Sequence, residues 1–251
     1  MLPVIPFNGP WTLIVVVMAA GGVATHFALR NRSFAVKRAW LLALGCLTLA
    51  CSIAFHVAYI VSPPPGGFPL LQNLPLHLCT IMSWAMPLVA WFDWRPLRAV
   101  AFYPGAVAGL ATLVSAAPWE QGHSLFDVKT CFWVAHALNA IVPFLLVSLG
   151  LYRPTARQVP ASIGWVVVVG LVVILPVTLA LRAWFDPAAN YFYLFDPEGA
   201  DILVLLWEWI RVPILYVLPL LVLVLPVCYL EWGVYRLLTW RSRPFVPVAT
   251  A

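Results

Sequence analysis

The sequence predicts an all-α, polytopic membrane protein: a single helical bundle with seven transmembrane helices. Of its 251 residues, 63% are hydrophobic and 9% are charged, whereas soluble domains contain about 25% charged residues. The mean hydropathy is +0.95. The apolar stretches are long and do not alternate with a period of two, which favours helices over a lipid-facing β-barrel. The length fits one domain over residues 1–251.

Seven apolar segments are long enough, or nearly long enough, to cross a bilayer, for which a helix needs about 20 residues. The fourth is interrupted by Pro104, Gly105 and Gly109, and such breakers are tolerated where neighbouring helices cover the freed backbone. The predicted spans are Trp11–Leu29, Ala39–Val61, Leu74–Phe92, Arg98–Ala117, Thr130–Leu151, Ala161–Arg182 and Ile210–Tyr229.

Lysine and arginine concentrate on alternating connections, and this bias sets the orientation of membrane proteins. The basic segments contain Arg30, Arg32, Lys37 and Arg38; Arg95 and Arg98; Arg153 and Arg157; and Arg236, Arg241 and Arg243. The second connection, residues 62–73, is uncharged, and the sixth is acidic. We therefore expect the N-terminus outside and the C-terminus inside, with a short cytoplasmic tail over about residues 236–251. Because the positive charge lies between spans, it indicates topology rather than nucleic-acid binding.

Polar residues that are costly in lipid gather near the outer ends of the predicted spans. His77 and Cys79 open the third span, and His136 and Asn139 lie in the outer half of the fifth. The remaining members of this group are His56 in the second span, Asn190 and Tyr191 in the sixth connection, and Glu208 and Arg211 at the entrance of the seventh span. This distribution predicts a shared polar pocket on the outer side. The spacing of Glu208 and Arg211 predicts an ion pair on one helix face.

Cys79 is the candidate nucleophile, because a thiol becomes reactive when a histidine accepts its proton. On an ideal helix His77 and Cys79 would point about 200° apart. His136, on another helix, is therefore the better candidate base unless the third span is unwound at Pro75. His77 would then bind an oxyanion, orient a head group or act as the base itself. Asn139 or Glu208 would hold the histidine tautomer.

Three other interpretations of these residues stay open. Cys79 can be a small buried hydrophobic residue, or it can form a disulfide with Cys131 in an oxidising compartment. Histidines and a cysteine can also ligate zinc or haem. No HxxxH spacing supports a metal site, so we expect no metal and no cofactor.

Two motifs resemble a known family. Leu74-Pro75-Leu76-His77-Leu78-Cys79 is followed by a lone His136 in a later span and by Asn190-Tyr191-Phe192-Tyr193-Leu194 with Pro197. In this order they resemble the YwaF-like integral membrane proteins, a family related to the transmembrane protein 164 acyltransferases. The resemblance implies a seven-helix membrane protein in which Cys79 carries an acyl group between phospholipids. It also implies that His77 and His136 are the polar partners of Cys79, and that Asn190 and Tyr191 are pocket residues.

The leading hypothesis is a lipid acyltransferase, or a lipid hydrolase that forms a thioester, acting at the outer leaflet of a bacterial cytoplasmic membrane. Its expected partners are membrane phospholipids and not nucleic acids. The alternative is a bundle without enzymatic activity that binds or transports a lipid or small ligand. Transport is favoured by an inverted repeat, and none is evident in the sequence.

Overall fold

The computed structural model describes residues 3–62, 74–116 and 121–239, and this part of the chain is all-helical, without strands. The helices are α1 Gly9–Leu29, α2 Phe34–Val61, α3 Leu78–Trp91, α4 Arg95–Val114, α5 Cys131–Ser148, α6 Gln158–Trp184, α7 Asp201–Trp209 and α8 Leu218–Thr239. A 3₁₀ turn, Val128–Thr130, precedes α5, and another, Leu215–Val217, precedes α8.

Six of these helices are long and apolar enough to cross a membrane, which identifies an integral membrane protein. They are α1, α2, α4, α5 with its 3₁₀ turn, α6, and α8 with its 3₁₀ turn. The predicted third span is represented by α3, which has only 14 residues. A helix of that length rises about 21 Å, less than the roughly 30 Å of a hydrocarbon core. The seven-span count and the orientation of the termini stay predictions.

Helix α5 is the centre of the bundle and packs against α1, α2, α3 and α4. Small residues allow membrane helices to approach closely. A Cβ added at Gly109 of α4 would lie 2.8 Å from the carbonyl oxygen of His136 on α5. A Cβ at Gly45 of α2 would lie 2.9 Å from the Met86 backbone on α3. These two glycines therefore set the α4–α5 and α2–α3 separations.

Helices α4 and α6 each contain a π-helical segment. In α4 the segment is Ala101–Gly105, which includes Pro104, and in α6 it is Gly170–Ile174. Proline has no N–H to donate within a helix, and a wider turn accommodates it without ending the helix. The fourth span is thus continuous through the predicted interruption.

Arg98 joins α3 and α4 to the segment after α5, at the opposite end of α3 from Cys79. Its side chain is 2% exposed. Nε donates to the carbonyl of Val89 at 3.2 Å, and Nη1 donates to the carbonyl of Leu151 at 2.8 Å and to the carboxylate of Asp93. The sequence indicated only an arginine near a span end, whereas the structure buries its guanidinium between α3, α4 and the segment after α5.

Two predicted spans had wrong boundaries, the third at its start and the seventh at both ends. The third span was expected to begin at Leu74, but α3 begins at Leu78 and His77 is extended, with φ −74° and ψ 149°. Pro75 disfavours helical geometry at Leu74, and α3 begins only after His77, which is its extended N-cap residue.

The seventh span was expected over Ile210–Tyr229, but α8 runs from Leu218 to Thr239. Ile214 before it has a φ of +68°, which no helix tolerates. Residues 236–239, expected in the tail, are therefore helical. Residues 240–251 and most of the uncharged second connection, 63–73, lie outside the described residues.

Candidate functional site

Cys79 is the second residue of α3, and His77 is the residue at its N-cap. Because Leu74–His77 is not helical, the expected 200° separation of the two side chains does not apply. Both instead line the same cavity. The start of a helix carries a partial positive charge that favours an anion, and Cys79 lies in the first turn of α3.

Aromatic residues of the connection between α6 and α7 hold the segment before α3. The hydroxyl of Tyr191 accepts a hydrogen bond from the backbone N–H of Leu74 at 3.1 Å. The ring of His77 lies 5.5 Å from that of Tyr191 and 4.7 Å from that of Tyr193. Burial raises the pKa of Tyr191 to about 12, so its phenol stays neutral near pH 7.

The backbone of Cys79 is held by two side chains. Asn139 Nδ2 on α5 donates to the carbonyl oxygen of Cys79 and to Ser83 Oγ, both at 2.8 Å. Ser83 Oγ donates in turn to the same carbonyl at 3.0 Å. Asn139 thus positions the cysteine across the α3–α5 interface, rather than holding a histidine tautomer as expected. Its Oδ1 is buried, and no residue in the described part of the chain donates a hydrogen bond to it.

Three histidines lie within electrostatic range of one another near this interface: His56, His77 and His136. His136 Nδ1 lies 2.7 Å from the carbonyl oxygen of Phe132. A carbonyl oxygen only accepts, so Nδ1 carries the proton and Nε2 presents a lone pair. This Nε2 is buried and has no hydrogen-bond partner among the described residues, which leaves it able to accept a proton. His56 Nδ1 likewise donates to the Ser52 carbonyl at 2.6 Å.

An apolar cavity of about 300 Å³ extends from the start of α3 between α4, α6 and α8. We call it the acyl cavity, a label that refers to its apolar lining. At one end lie His77, Cys79, Ser115 and Tyr193. The other walls are almost entirely aliphatic, and they include Pro104, Val107, Ala108 and Ala111 of α4, Ile163 and Val166 of α6, and Leu221 and Val224 of α8. Its volume lies at the lower end of the range for ligand pockets.

None of the six predicted pocket residues lines the acyl cavity, and neither does the candidate base His136. Asn190 instead organises its own connection: Nδ2 donates to the Asp196 carbonyl and to Glu198 Oε1, and Oδ1 accepts from the N–H of Phe195. Glu208 and Arg211 are both exposed. The ion pair expected between them does not form, because α7 ends at Trp209 and the two residues do not share a helix face.

The positions of the cysteines and histidines also bear on the two alternatives of a disulfide and a metal site. None of the five cysteines forms a disulfide, and the thiol of Cys131 contacts Cys51 rather than Cys79. Over the three described stretches of chain, no group of three or more histidine, cysteine, aspartate or glutamate side chains is arranged to hold a metal ion.

Sequence reasoning missed Ser83 and the walls of the acyl cavity. Ser83 lies four residues after Cys79, one helical turn away, and this spacing was a usable signal. The aliphatic wall residues carry no such signal, because they look the same as residues that face lipid. Helix α7 was also missed, since its nine residues are too few to suggest a span.

The comparisons with known proteins agree with this architecture. No curated protein and no solved structure matches the chain. The model of the TMEM164 family matches residues 7–230, nearly the whole described bundle. This supports the expected relationship to transmembrane protein 164, while the narrower YwaF-like grouping stays a prediction. The chain is a membrane protein of the TMEM164 family.

Proposed function

We propose that this protein transfers acyl groups between membrane lipids through a thioester on Cys79, in a bacterial cytoplasmic membrane. The observation that carries the proposal is the position of Cys79 and His77 at the polar end of the acyl cavity. A thiol there lies beside a space suited to the hydrocarbon chain of an ester. A buried histidine nitrogen with a lone pair lies on the facing helix. The resemblance to acyltransferases points to the same residues.

In the first half-reaction His136 Nε2 accepts the proton of the Cys79 thiol. The sulfur attacks the carbonyl carbon of a glycerolipid ester. A carbon–sulfur bond forms, the carbon–oxygen bond to the glycerol breaks, and His136 returns the proton to the leaving lysolipid oxygen. His77 donates a hydrogen bond to the carbonyl oxygen as it becomes negative, and the N-terminus of α3 adds favourable field.

In the second half-reaction a lipid hydroxyl or amine attacks the thioester. The acceptor oxygen or nitrogen bonds to the acyl carbon while His136 removes its proton, the carbon–sulfur bond breaks, and His136 returns the proton to the thiolate of Cys79. Water as the acceptor would make the same protein a lipid hydrolase. We assign the base to His136 rather than His77, because the hydrogen bond to Phe132 fixes its ring with the lone pair on Nε2.

The test is the trapping of an acyl group on Cys79. Purified protein in liposomes is incubated with a phospholipid that carries a labelled acyl chain, and acyl adducts are measured by intact mass with and without hydroxylamine, which cleaves thioesters. We expect an adduct that disappears in Cys79→Ser and persists in Cys46→Ser, a matched change at an exposed cysteine.

The histidine variants separate the assigned roles. His136→Gln should slow acyl loading by about a hundredfold to ten-thousandfold, the usual contribution of a general base, and His77→Gln should slow it less. Normal loading in His136→Gln with strong loss in His77→Gln would reverse the assignment. If the wild-type protein binds lipid but forms no acyl adduct, the enzymatic proposal fails and the chain is a helical bundle that only binds lipid.

A further inference from the structure

The acyl cavity runs along three helices, α4, α6 and α8. Along α4 its wall runs from Ser115, near Cys79, to Pro104, a rise of about 16 Å. The other two walls end at a comparable level, at Ile163 on α6 and Val224 on α8. One leaflet is half of a roughly 30 Å hydrocarbon core, or about 15 Å. The cavity therefore has the length of one acyl chain of a membrane lipid.

We propose that the acyl cavity holds a single long alkyl chain of the donor and selects it by length. This inference deepens the proposed function and rests on it for the thioester readout. The polar groups lie at one end only, so a chain enters with its ester at Cys79 and its methyl end toward Pro104 and Val224. A volume of about 300 Å³ is at the small end for ligand pockets, which excludes both chains of a diacyl lipid at once.

Small side chains on α4 leave the space that the acyl cavity occupies. Ala108 and Ala111 lie one turn apart and both face the cavity. On α6 the π-helical turn brings Gly170 to the cavity wall beside Phe192, whose ring would lie 3.5 Å from a Cβ at that position. Longer side chains at these positions would occupy the path of the chain. Val224, at the inner end, is placed to set the maximum length.

The experiment compares Val224→Phe with Val222→Phe. Val224 lines the inner end of the cavity, whereas Val222 is two residues away on the same helix and 72% exposed. Each methylene displaced from an apolar site weakens binding by about fourfold. We therefore expect Val224→Phe to lower Cys79 loading from octadecanoyl donors by more than tenfold while loading from octanoyl donors stays within twofold of wild type. Val222→Phe should match the wild type with both donors.

A second measurement does not depend on the thioester. Cys79→Ser protein is irradiated with a phospholipid that carries a diazirine at the end of one long chain, and the crosslinked residues are mapped. We expect crosslinks at Val224 and near Pro104, and their loss in the Cys79→Ser, Val224→Phe double variant.

The outcomes separate the two proposals. Equal loss of both donors in a folded Val224→Phe protein, or crosslinks confined to lipid-facing residues such as Val222, would overturn selection by length. Crosslinks inside the cavity without any acyl adduct on the wild-type protein would keep the chain-binding site and refute the acyl-transfer function.

Discussion

Replacing Asn139 by leucine tests whether its two hydrogen bonds position the nucleophile. Asn139 Nδ2 donates to the Cys79 carbonyl and to Ser83 Oγ, both at 2.8 Å. A hydrogen bond contributes a net 0.5–1.5 kcal/mol, so losing both should cost about 1–3 kcal/mol. Leucine has a similar shape and leaves little cavity. For a protein of this size, a loss of about 2 kcal/mol corresponds to a decrease in Tm of roughly 4–8 °C.

The effect on acyl loading should exceed the effect on stability. Without Asn139, the Cys79 carbonyl keeps only the bond from Ser83 at 3.0 Å, and the helix start is free to shift. Misplacement of a reacting group by about 1 Å can cost a hundredfold in rate. We expect Asn139→Leu to lose ten- to a hundredfold in the rate of Cys79 acylation, measured by intact mass over time.

Ser83→Ala is the matched control, because it removes a neighbouring donor and leaves the Asn139–Cys79 bond in place. It should lower Tm to a similar extent but reduce loading by only a few fold. Equal loading losses in the two variants, or wild-type loading in a destabilised Asn139→Leu protein, would refute a positioning role.

Two further predictions concern stability. Arg98→Met should destabilise the bundle by about 3–5 kcal/mol, because it leaves buried carbonyls without their donor. The control is Arg95→Met, at an exposed position of the same helix. In denaturant titrations this control should change the free energy of unfolding by less than about 0.5 kcal/mol. Tyr191 has a pKa raised to about 12 by burial, so the unfolded chain loses this proton near pH 10 while the folded protein keeps it. Stability should therefore fall as pH rises from 10 toward 12, and Tyr191→Phe should show a shallower fall in thermal melts; an unchanged pH profile would contradict the assigned burial.

The helical class and most of the spans could be predicted from the sequence because lipid imposes simple rules on length and composition. Five predicted spans correspond to α1, α2, α4, α5 and α6 with ends within a few residues. The errors lie where proline and turn geometry override apolar composition. Around Pro75 and Pro213 the residues are as hydrophobic as those of a helix, and only the backbone conformation separates them from one.

The candidate site was predictable where polar groups stand out against an apolar background. His77, Cys79, His136 and Asn139 were marked by their cost in lipid. The structure places His77 and Cys79 in the cavity lining, whereas His136 and Asn139 lie on α5 outside that lining. Asn190 was marked by the same cost, yet its partners are the backbone and Glu198 of its own connection. Polarity alone does not distinguish a side chain that faces a cavity from one that satisfies its own loop.

The length of α3 determines how deep Cys79 lies below the membrane surface, and therefore how accessible it is to water. If its Trp91 end lies at the membrane boundary, a helix of about 21 Å places Cys79 roughly 9 Å below the opposite boundary. At that depth the proposed thioester would be shielded from bulk solvent, so its hydrolysis would be slow compared with attack by a lipid nucleophile. Whether the acyl group passes to a new lipid or is released as a free fatty acid would then depend on the hydration of the cavity mouth. With a dry mouth, the protein would release little free fatty acid, a detergent-like product, into the bilayer.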